Sequence, residues 1–105
     1  GSKRFDFLGD FIHSLVLVKL DKNLNVISSK TYFKNAKALK IIKHKNEFLI
    51  LAFVNKDFYI LLFDSKLKLK NYKKLDFEPF DFKLIDNYLY ITSKENLYIY
   101  DKTNP

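Results

Sequence analysis

Short apolar runs recur along this chain, each closed by a cluster of polar turn formers. The clusters are Asp21-Lys22-Asn23, Asn55-Lys56-Asp57, Asp64-Ser65-Lys66, Asp86-Asn87 and Ser93-Lys94-Glu95-Asn96. The runs between them are short and rich in Val, Ile, Phe and Tyr, a pattern that favours strands over helices. Asp at the end of a run starts a turn because its carboxylate accepts a nearby backbone N–H. Only two glycines are present, Gly1 and Gly9, so Asn and Asp are expected to supply the left-handed turn positions.

The runs are phased. LVLVKLDKNLNV aligns with FYILLFDSKLKL when Asp21 is set over Asp64, 43 residues on, and NLYIYDKTNP places Asp101 in register 37 residues further. Upstream of each copy lies another apolar run: RFDFLGDFI, EFLILAFV and YLYITS. A period near 40 with four short apolar segments predicts an all-β chain of antiparallel four-stranded, blade-like meanders. With strands named A to D from inside outward, the order is B-C-D over 4–33, A-B-C-D over 36–75 and A-B-C over 80–101. The units are thus incomplete at both ends, and open strand edges and faces are expected. A small closed β-barrel or sandwich is the alternative architecture.

Two segments sharpen this expectation. FLILAFV and YILLF are apolar at every position, so their strands should be covered on both faces, whereas LKLKNYKKL turns polar, as an edge strand does. NAKALKIIKH is ambiguous, because Asn35 is able to cap a helix with Ala36, Leu39 and Ile42 on one face. Its counterpart FDFKLID alternates and is aromatic, which favours strand in both.

Composition narrows the function classes. The 105 residues suffice for one domain with a modest core, taken as 3–105, with Gly1-Ser2 read as an expression scar. Eleven Phe and seven Tyr exclude a disordered chain, and the lack of Cys excludes disulfides and thiolate metal sites. No apolar run approaches the roughly 18–20 residues needed to span a bilayer, so a soluble chain without membrane insertion is expected. Nineteen Lys and Arg against twelve Asp and Glu give a net charge of +7, which favours anionic partners at long range.

Beyond these patterns, VKLDKNLNVISSKTY followed by NAKALKIIKHKNEFLILAFVNKDFYILLFDSKLKL resembles the β-propeller-type repeats of bacterial exported proteins. Their units commonly run Lys-Leu-Asp-x-x-Gly-x-Val-x-Trp-x-Lys-Thr-Tyr. Lys19, Leu20, Asp21, Val26, Lys30, Thr31 and Tyr32 match, while Leu24 stands at the Gly position and Ser28 at the Trp position. The resemblance implies a scaffold or binding role without a catalytic set, often outside the cytoplasm. The expected partner is another protein or further copies of this chain, docked at open strand edges or the rim.

The candidate chemistry is sparse. His13 is expected in a B–C turn and His44 at the close of an A strand, pointing to opposite rims and unable to share a metal. Ser14, Ser28, Ser29, Ser65 and Ser93 lack a nucleophile-elbow context, and no glycine-rich phosphate loop exists. Asp76, Glu78 and Asp81 offer oxygens to a hard cation, but Pro79 fixes a turn there, and Phe77, Phe80 and Phe82 read as plugs between blades. Lys34, Lys37, Lys40, Lys43 and Lys45 form one basic segment, and Lys66, Lys68, Lys70, Lys73 and Lys74 another. Interleaved aromatics suit a nucleic-acid or polyanion surface. Lysines on open edges, where they discourage strand addition, are the simpler account. No cofactor, metal site or catalytic residue is expected, and a non-enzymatic interaction module is the leading expectation.

Overall fold

A computed structural model describes residues 3–5 and 11–101. These residues form ten strands and no helix: β1 (Lys3–Phe5), β2 (Phe11–Leu20), β3 (Val26–Lys34), β4 (Ala36–His44), β5 (Glu47–Val54), β6 (Asp57–Asp64), β7 (Leu69–Leu75), β8 (Asp81–Ile85), β9 (Tyr88–Thr92) and β10 (Leu97–Asp101). They make three antiparallel meanders, ordered β1-β2-β3, β4-β5-β6-β7 and β8-β9-β10. No sheet closes on itself among the described residues, so the closed-barrel alternative is not adopted. The ambiguous segment Ala36–His44 is a strand, paired along its length with β5 through a bulge between Ala38 and Lys40.

The three sheets stack face to face because the middle one is apolar on both sides. Alternation along β5 and β6 sends Ile50, Ala52, Val54, Leu61 and Phe63 to one face. There they pack with Leu15 and Leu17 of β2, and with Tyr32 of β3. Leu49, Leu51, Ile60 and Leu62 take the opposite face and pack with Phe82, Leu89 and Ile91 of the third sheet. Aromatic contacts span the layers: Tyr32 meets Phe63 edge-on at 5.3 Å, and Phe77 stacks on Tyr98 at 3.9 Å. The Tyr32 hydroxyl also donates to the Leu67 carbonyl across the first interface, at 2.6 Å.

Two of the predicted Asp turns are built alike. Asp21 Oδ1 accepts the N–H groups of Asn23 and Asn25 at 2.8 and 2.9 Å. Asp64 Oδ1 accepts those of Lys66 and Lys68 at the same two distances. Leu24 and Leu67 then occupy matching left-handed positions, with φ of 69° and 67°. The turn after Asp101 lies outside the described residues.

Several expectations are corrected. Asn and Asp do not supply all the left-handed positions: Leu24, Phe33, Lys45, Lys56 and Leu67 hold five of the eight non-glycine residues with positive φ. Two-residue hairpin connections demand that conformation whatever side chain they carry, as at Asn55-Lys56, where both residues have positive φ. His13 lies within β2 opposite Lys3, not in a turn, because Phe5 pairs with Phe11 and the chain has already reversed. Gly9 and the rest of 6–10 lie outside the described residues. Phe80 is no plug. Its N–H donates to the Thr92 carbonyl ahead of β8, and its side chain is 82% exposed.

The paired turns yield two tests. A leucine in the left-handed region costs about 1–2 kcal/mol, and Leu24 is exposed, so Leu24→Gly is expected to stabilise the fold by about 0.5–1 kcal/mol after the entropy of the glycine. Leu67→Gly, at the same backbone angle but buried in the core, is expected to lose about 2 kcal/mol or more; urea unfolding of both variants gives the comparison. The second test is acid. The Asn25 N–H beside Asp21 and the Lys68 N–H beside Asp64 hold both carboxyls below their ordinary range. Such groups contribute stability above the unfolded value, near pH 4, and that contribution fades as pH falls through the lower folded value. The denaturation midpoint is expected to drop below about pH 4, and less steeply in the Asp21→Asn, Asp64→Asn double variant.

Candidate binding cleft and open sheet faces

The incomplete first sheet leaves a cleft. β1 pairs with β2 only at residues 11–13, so among the described residues the edge of β2 opposite β3 is unpaired over 14–20. That edge stands beside β4, the innermost strand of the central sheet. Between them lies an open cavity of about 570 Å³ floored by Leu15, Leu17, Ala38, Ile41, Phe48 and Ile50. It continues into a second of about 400 Å³ at the Ser14, Ala36 and Lys37 end.

The two faces of β4 are treated differently. Toward the third sheet, Ile42 is packed against the cluster that holds Phe82, and Leu84 of β8 joins it there. Toward the first sheet no strand occupies the corresponding place among the described residues, and Ile41 is left 62% exposed. One end of the cleft is cationic. Lys19, Lys43 and Lys45 line it with Glu47, whose carboxylate is paired with Lys70, while Lys19 Nζ donates to the Ser65 carbonyl at 3.2 Å. Lys43 and Lys45 form no ion pair among the described residues.

The outer faces of the stack are apolar too. On the first sheet Val18, Leu20, Val26 and Ile27 are exposed, and on the third Ile85, Tyr88, Leu97 and Ile99. The 43-residue shift sets Val18 and Leu20 over Leu61 and Phe63, which the central sheet buries against the first. The 37-residue shift sets Leu97 and Ile99 over Ile60 and Leu62, which it buries against the third. Both free faces therefore carry the side chains of a buried interface, and they point in the same head-to-tail sense.

The basic segments fall on the two edges of the central sheet, β4 and β7. Several of these lysines are engaged: Lys40 with Asp81, Lys70 with Glu47, and Lys74 with Asp57 at 3.5 Å. Lys73 lies 5.1 Å from the Tyr100 ring centre. Burial raises the Tyr100 phenol above its ordinary value. Asp81 is thus spent on Lys40, whose ammonium lowers its carboxyl, and on its own neighbour's Phe82 N–H. Asp76, Glu78 and Asp81 do not converge, and among the described residues no three His, Cys, Asp or Glu side chains form a metal-binding group. His44 closes β4 as expected but is half-buried, with Nε2 shielded and lacking a hydrogen-bond partner among the described residues.

No helix among the described residues is long and apolar enough to cross a membrane. Comparison with family models, curated proteins and solved structures found no match.

Proposed function

We propose that this chain is a non-enzymatic scaffold, a propeller-type array of sheets or part of one, that works by binding protein surfaces and belongs to a larger or oligomeric assembly. The observation that carries the reading is the pair of outer faces. Each repeats, at shifted positions, the side chains that the central sheet buries against a neighbour. Apolar patches of this kind on a folded surface mark interaction sites. Because the two faces are different and complementary, association is heterologous: the third-sheet face of one copy receives the first-sheet face of the next. The lysine-rich edge strands oppose sideways pairing and leave face-to-face stacking as the preferred mode.

Association of this geometry has a distinctive signature. The chain is expected to grow in mass with concentration in sedimentation or light scattering. Val18→Glu and Ile99→Glu each spoil one face at an exposed position, so each variant alone is expected to be monomeric with an unchanged circular dichroism spectrum. Mixed in equal amounts, the two are expected to form a dimer through the intact face that each retains. A wild-type chain that stays monomeric at high concentration, or a mixture that does, refutes the assembly.

A further inference from the structure

We infer that the cleft between β2 and β4 takes an extended peptide as an added strand, with apolar side chains at alternate positions and acidic side chains at one end. The inference deepens the scaffold reading, on which it rests, by assigning one partner chemistry to one site. Three features of the cleft specify that partner. Residues 14–20 of β2 present an unpaired backbone edge, which supplies main-chain hydrogen bonds to any extended segment laid beside it. Such a strand places alternate side chains over Ala38, Ile41, Phe48 and Ile50, an apolar floor open to solvent. The molecule already shows that β4 accepts cover of this kind, since Ile42 on its opposite face joins the cluster that includes Phe82 and Leu84 of β8.

Charge fixes the polarity of the segment. Lys43 and Lys45, free of ion pairs, lie at the end of the cleft near Lys19 and Ser65, and the Ala36 end has no comparable cluster. Every pairing in the three sheets is antiparallel. A segment antiparallel to β2 enters at the Lys19 end, so its acidic residues come first and its apolar alternation follows. The net charge of +7 draws such a segment in from a distance. A nucleic-acid strand meets the lysines but leaves both the backbone edge and the apolar floor without partners, which is why the peptide is favoured.

The probe is a fluorescein-labelled heptapeptide of two glutamates followed by valine at three alternate positions with threonine between. Saturable binding by anisotropy is expected, together with increased amide protection confined to residues 14–20 and the facing part of β4. Lys43→Glu with Lys45→Glu is expected to weaken binding about tenfold or more. Ile41→Asp is expected to do the same from an exposed position that the fold tolerates. N-methylation of the peptide amides on the β2-facing edge is expected to abolish binding. Equal binding of a scrambled peptide of the same composition, or protection arising elsewhere, overturns the inference. So does an oligothymidylate that binds more tightly and is lost in the same lysine variants. Run with the Val18→Glu chain, the titration is independent of face-to-face assembly, so failure of one reading leaves the other standing.

Discussion

Burial of the central sheet on both faces is the constraint from which the rest of the molecule follows. A strand pair apolar at every position has no solvent face, and each side needs its own layer of cover. Leu49 and Phe63 illustrate the point: both are fully buried, yet they lie in different clusters on opposite sides of one sheet. The shorter sheets are there to supply that cover. Their own inner faces are apolar for the same reason, and the outer faces inherit side chains of the same pattern.

The Asp turns translate this layering into chain geometry. A carboxylate that gathers two backbone N–H groups fixes the reversal between β2 and β3, and again between β6 and β7. The same anchoring holds a leucine in the left-handed region twice. At Leu67 the side chain is buried beneath Tyr32 and its neighbours, so core packing offsets the backbone cost; at Leu24 the side chain is exposed and the cost has no such return. One turn design thus serves two energetic situations. The functional surfaces arise where the layering stops: at two unmatched faces and along the edge of β2.

Much of this was legible in the order of residues. Period-two runs bounded by Asp and Asn give the strands, and the fully apolar FLILAFV and YILLF give the doubly covered middle layer. The lysine-rich character of LKLKNYKKL marks an edge strand, which β7 is. The candidate site was less legible. Nothing in LVLVKL distinguishes a strand paired on both sides from one paired on a single side, because hydrogen-bond partners are chosen by distant segments. The cleft beside β4 is therefore invisible in the sequence, and Phe80 and Phe82, two residues apart, meet opposite fates.

By itself, then, the sequence determined the strand class, the number of extended segments, the positions of the Asp turns and which strands require cover on both sides. These follow from local backbone preference and from the periodicity of apolar side chains, both of which act over a few residues. Tertiary structure alone decided that the sheets stack in a single head-to-tail sense, that His13 belongs to a strand, and that the edge of β2 stays open over Ile41. Those outcomes depend on which surfaces meet across the molecule, and that choice is made by the total area buried, a quantity no short stretch of residues contains.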